Sequence, residues 1–407
     1  MGKDMDVFAG IDWGGDAHQI CVLDADGTRL QQRRVTHDVP GLLALDRALD
    51  HYPGVAIAIE RSEGLLVEHL LAAGRRVFCV SPKISARARE RYRLANTKSD
   101  AFDAFVLADT LRHEHAHWRP LATGSRLWHE LRAVSRDRDR ILLAQHAAES
   151  RLRATLEAYH PAPLHLFSTL DRDISLAFIT DYPTPEAASR VGQARMGRFL
   201  TRHGYSGRTP AEVLVERLRP HLLSASPGTV AGKTLAASVF TEQLALLTTH
   251  LRAYDRRLDQ LLAQHPDASV LFSFPGLGPV TAATLIAEMG EDRARFPSPG
   301  VLLAEAGLAP VTRASGRTRQ VRFRYAANRR MRHAIDWWTW VAVREDPWSA
   351  HLYEQARAAG QGKYRALRGI GTRWTRVLWR CWHTRMPYQP DEHTTRHDYL
   401  RQIDQAA

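Results

Sequence analysis

Lysine is close to absent from this 407-residue chain: only Lys3, Lys83, Lys98, Lys233 and Lys363 occur among its 56 basic residues. Cysteine is scarcer still, at Cys21, Cys79 and Cys381, far apart in sequence. Such an odd, dispersed set excludes a disulfide framework and a zinc ribbon, and it fits a reducing compartment. No run approaches the roughly 18 consecutive apolar residues of a membrane-spanning helix. The opening Met1–Asp6 leads straight into a strand-like segment, without the pattern of a secretory leader. Acids are missing from two long stretches, between Glu305 and Asp336 and again from Gln355 to Pro390. What remains is a globular composition, 44% apolar with a net charge of +12. This excludes wholesale disorder and predicts two or three domains. The basic excess points to a polyanionic partner. Arginine-for-lysine skew also follows from GC-rich coding, so the placement of the charge has to carry that argument.

Residues 1–115 read as an α/β domain. Strands are predicted at 7–12, 18–24, 28–35, 55–60 and 76–81, with helices at 40–50, 64–73, 84–94 and 100–112. Three leading strands followed by alternating strands and helices predict a mixed sheet with helices on its faces. Residues 116–265 form a helical region. Leu244, Leu247, Leu251, Tyr254, Leu258 and Leu261 recur at spacings of three and four, the seam of a coiled coil or of a long antiparallel helix pair. A weaker series runs from Leu127 to Leu152. Proline and glycine breaks mark a compact helical insertion at 161–229. Residues 266–390 form a third, mainly α-helical region, and 391–407 a polar tail.

Four acids stand out. Asp12 ends the first strand, Glu60 ends the VAIAIE strand, and Asp100 and Asp103 lie three apart on one helix. If the first and fourth strands are neighbours, Asp12 and Glu60 converge and that helix closes over them. Four carboxylates in one place repel unless cations intervene. Two Mg²⁺ ions about 3.5–4 Å apart would resolve the conflict and suit phosphoryl transfer. Each acid alone also has an ordinary reading: a turn residue, a helix cap, a partner for Arg61 or Arg75.

Farther on, FPGLGPVTAATLIAEMG (274–290) places Gly276 and Gly278 between helical stretches. This suits either a helix-hairpin-helix phosphate cradle or a plain helical corner. The acid-free stretch after Glu305 carries Arg313, Arg317, Arg319, Arg322, Arg324, Arg329, Arg330 and Arg332, a pattern better explained by polyphosphate contact than by a solvated face alone. In the second acid-free run, Lys363 and Arg373 accompany arginines interleaved with Trp374, Trp379 and Trp382. These tryptophans suit base stacking or a helical core equally. Ser315, before Gly316, is by type a turn serine.

The stretches GIDWG, AIAIE and TKSDAFDAFVLAD resemble the Asp-Glu-Asp-Asp signature of transposases of the insertion-sequence one-ten family. Further along, PGLGPVTAATLIAEMG, ASG and NRRMRHAI resemble its C-terminal domain in the same order. The resemblance implies an RNase H-like (RuvC-like) N-terminal domain, with Asp12, Glu60, Asp100 and Asp103 as its acids and Mg²⁺ as cofactor. It implies Ser315 as the recombination nucleophile, making a covalent protein–DNA intermediate. It also implies a structured noncoding guide (bridge) RNA, and a homo-oligomer, dimer or tetramer, in which acids and serine meet across protomers. DNA as substrate, no membrane and a cytoplasmic, nucleoid-associated bacterial location follow. Tyr325 and Ala327 stand where relatives often carry Lys and Gly, and Arg317 intervenes where a hydroxyl often follows Ser-Gly directly. Two other readings remain: a RuvC-like nuclease of branched DNA using water, and a catalytically silent nucleic-acid-binding relic.

Overall fold

The computed structural model describes residues 7–92, 99–316 and 318–392. It divides into two units at Gly124/Ser125. Lys98, Arg317 and the tail from 393 onward lie outside the described residues.

In the first unit, β1 (Val7–Trp13), β2 (Ala17–Asp24) and β3 (Arg29–Thr36) form an antiparallel meander. They are followed by α1 (Val39–Asp50), β4 (Ala56–Ile59), α2 (Leu65–Ala72), β5 (Arg76–Cys79), α3 (Pro82–Arg89) and α4 (Asp100–Glu114). The sheet order is β3-β2-β1-β4-β5, with β4 parallel to both β1 and β5. The two crossovers through helices follow from that parallel pairing, because parallel neighbours cannot be joined by a hairpin.

Strand alternation sorts the side chains onto two faces. Ala9, Ile11, Ile57, Ile59 and Val77 join Leu45, Leu49, Leu66 and Leu70 of α1 and α2 on one face. Phe8, Ala56, Ala58 and Phe78 meet Leu107 and Leu111 of α4 on the other, where Cys21 and Leu23 also pack on Ala104 and Ala108. The second face is floored by small residues, and α4 lies close against it. A Cβ on Gly10 would run into the Ala104 carbonyl and the Ala108 amide and come within 2.9 Å of Leu107 Cβ. Gly10→Ala should therefore cost about 3 kcal/mol, because backbone has to move rather than a side chain. Urea denaturation of the purified chain would register it, and an unchanged midpoint would show that α4 does not pack this tightly.

The domain predicted to end at residue 115 continues to Gly124, since the Leu121 amide donates to the Val77 carbonyl (2.6 Å) and Leu121 packs on the sheet core. The helix predicted over 84–94 instead starts at Pro82, stops at Arg89 and passes into a 3-10 turn, Glu90–Tyr92. Proline favours the first helical turn, which explains the early start.

The second unit opens with α5 (Arg126–Tyr159). There follow α6 (Asp173–Asp181), α7 (Pro185–Ser189), α8 (Gln193–Arg202) and α9 (Ala211–Leu218), then α10 (Pro227–Leu262). α5 and α10 run antiparallel, as the pairs Gln145–Thr248 (2.9 Å) and Arg138–Asp255 show. Leu244, Leu251, Leu258 and Leu261 are buried within this unit. The leucine seam is thus spent inside the chain, in the long antiparallel helix pair that its spacing allows. Between the two long helices, α6–α9 enclose a small core around Phe178, Phe199 and Leu214.

The chain continues through α11 (Ala268–Phe272), α12 (Pro279–Met289), α13 (Pro299–Glu305), the hairpin β6 (Val311–Ser315) and β7 (Thr318–Arg322), α14 (Arg329–Glu345), α15 (Pro347–Ala358) and α16 (Lys363–Thr384). One core joins Leu131, Leu258 and Leu262 to Phe274, Trp338, Trp374 and Trp382. The helical and C-terminal regions predicted as separate domains therefore share a core at this end. Trp374 and Trp382 are fully buried, and Trp379 donates to the Phe296 carbonyl (2.7 Å). The rings of Trp374 and Trp382 are core and closed to bases, Trp379 packs half-buried against the same core, and Arg373 lies on the exposed face of the same helix.

Candidate active site

β1 and β4 pair in parallel with Ile11 opposite Ile59, so the next residues along, Asp12 and Glu60, stand side by side where the two strands end. By alternation both belong to the face covered by α4. Ser99 caps α4 by accepting from the Phe102 amide (3.2 Å), so Asp100 is the first helical residue rather than the cap. Asp103, one turn on, is only 6% exposed, whereas Asp100 is exposed.

The electrostatics register the convergence. Burial, then the charges of Asp103, Asp100 and Glu60, push the Asp12 carboxyl up to about 6, with Arg89 opposing them. Arg89 of α3 supplies the countercharge. Its Nε lies 2.7 Å from Asp103 Oδ1, charges in contact rather than an aligned hydrogen bond, and its Nη2 lies 3.4 Å from Glu60 Oε1. Ser85, one helical turn before Arg89, donates to the same Glu60 oxygen. Sequence reasoning missed this pair, although the i, i+4 spacing of Ser85 and Arg89 on a proline-started helix places them on one face.

An all-carboxylate set is the donor chemistry of a hard divalent cation. As the side chains stand, no three acids, histidines or cysteines among the described residues draw close enough to enclose an ion; the guanidinium between Glu60 and Asp103 takes that electrostatic role. The third acid of the TKSDAFDAFVLAD stretch, Asp109, has a different task. It is buried, accepts from Tyr92 Oη and pairs with Arg112 (2.7 Å), tying the turn after α3 to α4.

At the end of β1, on the face opposite Asp12, Trp13 contacts the His18 and His37 rings at 5.5 and 5.7 Å, and the Arg61 guanidinium lies 5.1 Å from its own. Gly64 (φ +115°) admits that ring: a Cβ there would sit 2.7 Å from Trp13 Cη2.

In the second unit, Ser315 is the last residue of β6 and pairs with Thr318 across the turn. Gly316 has φ +55°, the left-handed conformation that a two-residue hairpin turn demands. Sequence reading predicted a turn serine; the structure gives a two-stranded arm with Ser315 at its tip. Every residue from Thr312 to Ser315 and from Thr318 to Arg322 is exposed, leaving Arg313, Arg319 and Arg322 open to solvent. Arg329 is exposed too.

Arg324, Arg330 and Arg332 are committed inside the unit. Arg330 binds Glu288 (3.0 Å), Asp139 (2.9 Å) and the Ser135 carbonyl (3.1 Å). Arg324 donates to the Ala309 carbonyl (3.1 Å), and Arg332 to the Ala306 and Arg324 carbonyls. Their expected phosphate contacts give way to structural ones, because buried backbone carbonyls and Glu288 need partners. Gly276 (φ +69°) is required where the 274–279 turn meets α14: a Cβ would come 2.8 Å from the Ala342 amide. Gly278 opens α12 without a side-chain cap. The preceding α11 has five residues, so the predicted helix-hairpin-helix has one short arm.

Comparison with known proteins agrees with this layout. Residues 9–161 match a DEDD transposase family described as "Transposase", and residues 268–354 match one described as "Transposase IS116/IS110/IS902 family". A mini-circle putative transposase for IS117 from Streptomyces coelicolor is 35% identical over 94% of this chain and 95% of its own. An uncharacterized 42 kDa protein of insertion element IS900 from Mycobacterium paratuberculosis is 30% identical over 94% of this chain and 97% of its own. An uncharacterized 43.6 kDa protein of IS110, also from Streptomyces coelicolor, is 26% identical over 90% of this chain. The DEDD match accounts for the RuvC-like sheet of the first unit and suggests dependence on a divalent metal. None of the described helices is long and apolar enough to cross a membrane. The chain is a DNA transposase and belongs to the IS110 family.

Proposed function

We propose that this transposase exchanges DNA strands through a serine-linked intermediate, with Asp12, Glu60, Asp100 and Asp103 as the acids of the reaction and Ser315 as its nucleophile. The observation that carries the acid assignment is the crowding of charge around Asp12, which lifts its carboxyl to about 6. Such crowding costs stability and persists where a function needs it.

These four carboxylates would hold Mg²⁺, which when bound neutralises the non-bridging phosphate oxygens and stabilises the leaving oxygen. The protein's own groups do the rest. Ser315 Oγ bonds to phosphorus as the phosphorus–sugar oxygen bond breaks. The serine proton goes to a base, and the leaving sugar oxygen is protonated. Arg313, two residues before Ser315 and on the same face of the exposed arm, holds the phosphate against it. A hydroxyl from another strand reverses the step and frees the serine, so the bond energy is kept and no nucleotide hydrolysis is needed. Guidance by a structured noncoding RNA and assembly into a homo-oligomer belong to the same reading, on the strength of the family resemblance.

The test is a recombination assay in which protein–DNA adducts are trapped on a denaturing gel. Ser315→Ala should abolish adduct and product together while its melting curve stays that of the parent, since the side chain is exposed. Free DNA ends without adduct in the parent protein would favour the water-using nuclease instead. Adduct persisting in Ser315→Ala would remove the serine from its role.

A further inference from the structure

A cavity of about 400 Å³ opens beside the foot of the β6–β7 arm, between the start of α14 and the start of α16. Its wall is aromatic: Phe323, Trp337, Trp340 and Tyr364. Its charge is mostly cationic, from Arg332, Lys363 and Arg368, with Asp336 the one acid.

The cations already lie on the rings. Lys363 Nζ is 4.2 Å from the Trp340 centroid, and Arg332 and Arg368 each sit 4.6 Å from Phe323. The two rings left outermost are large and wet, Trp337 at 62% and Tyr364 at 75% exposed. A folded chain gains nothing by holding a tryptophan in water, so exposed aromatics edged by cations mark a place that something else covers. Trp337 also lines the hollow formed by the Phe274–Thr281 turn, so its ring divides the pocket from that glycine turn.

We infer that this pocket receives one unpaired nucleobase of a single-stranded nucleic acid, stacked on Trp337 and Tyr364, with its flanking phosphates held by Lys363 and Arg368. The inference rests on the nucleic-acid reading above but needs neither Ser315 nor the four acids. Aromatic rings take the flat face of any base, the cations take the phosphates, and Asp336 accepts from an exocyclic amine. A stacked helix offers neither an open face nor room to enter, so a duplex is excluded. β7 runs extended from beside the tip to Arg322, just before Phe323, which puts the pocket about 17 Å along the arm from the turn at Ser315. An unpaired base could thus be held on the strand whose phosphate lies at the arm.

The experiment measures fluorescence anisotropy of the full-length Ser315→Ala chain with four probes: a short mixed-sequence DNA single strand, its RNA counterpart, the same DNA strand made abasic, and a blunt duplex. The intact single strands should bind more tightly than the abasic strand, which keeps every phosphate and loses every base. Trp337→Ala and Tyr364→Ala should each weaken single-strand binding about tenfold and leave duplex and abasic binding unchanged. Trp337→Phe should recover most of the loss. The DNA and RNA arms tell which strand the pocket serves, and either preference supports it.

Equal affinity for intact and abasic strands, or for Trp337→Ala and parent, overturns the inference while leaving the serine chemistry standing. Conversely, adducts that persist in Ser315→Ala would remove the proposed nucleophile and leave the pocket intact. Both substituted side chains are mostly solvent-exposed, so the variants should fold; an unchanged melting temperature checks this.

Discussion

Asp12→Asn should make the metal-free protein more stable at pH 7.5 and at the same time remove its strand-exchange activity. The folded Asp12 carboxyl titrates at about 6, above its ordinary 3.8, so the folded chain holds that proton more tightly than the unfolded one. Stability therefore falls as pH rises from about 4 to about 6, and above that the full penalty is present. Asparagine never ionises and never incurs it. With allowance for the solvent screening of a half-exposed group, the gain is on the order of 1 kcal/mol, or about 3 °C in Tm. Below pH 4 the two proteins should melt together. Added Mg²⁺ should then raise the Tm of the parent more than that of the variant, because the variant lacks one anionic ligand. Activity should fall about a thousandfold or more, since several kcal/mol of transition-state stabilisation depend on the carboxylates. Identical melting at pH 7.5 would show that the four acids are not crowded in solution.

Glu288→Ala should cost about 3–5 kcal/mol, the loss expected when one member of a buried ion cluster is removed. Glu288 is 4% exposed. It accepts from Arg136 twice (3.1 Å each), from Arg330 (3.0 Å) and from Asn328 Nδ2 (2.7 Å). Burial alone would raise its carboxyl, but Arg136, then Asn328 and Arg330, hold it below the ordinary value. The stability it contributes is thus complete at neutral pH and fades only as pH falls below the usual glutamate range. Its removal leaves two guanidinium groups facing each other. It also loosens the start of α14, where Asn328 caps the helix by accepting from the Met331 amide (3.1 Å). A urea midpoint at pH 7.5 measures the loss. Arg330→Ala should show a comparable drop, as a structural arginine does. If Arg330→Ala instead kept its stability and lost only DNA affinity, the assignment of Arg330 to the interior would be wrong.

The first unit was legible because its signals are local and agree with one another. Strand alternation at Phe8–Asp12 and Val55–Glu60 puts both acids at strand ends on one face, and no long-range information is needed once the strands are neighbours. The countercharge was not legible: Arg89 is one arginine among 51, and only packing selects it. The same holds for the basic stretch after Glu305. Composition identified an acid-free run, yet whether Arg319 meets solvent or Arg330 meets Glu288 depends on an acid 42 residues away. Trp374 and Trp337 illustrate the limit. Both belong to the basic, tryptophan-rich C-terminal region, but one is core and the other lies open, according to which side of its helix faces the bundle. The hairpin carrying Ser315 escaped prediction because its strands lack an apolar face, so period-two alternation had nothing to mark.

The long pair α5 and α10 has a consequence for how such elements diversify. Thirty-four residues of α5 extend about 50 Å, and residues 160–226 hang from the end opposite the tryptophan core. Their small interior around Phe178 and Phe199 shares no residue with the one that supports α12, α14 and α16. Substitutions at that remote tip are therefore insulated from the fold around the serine arm. Lineages can remodel it, in length or in charge, while the machinery for cutting DNA is inherited intact.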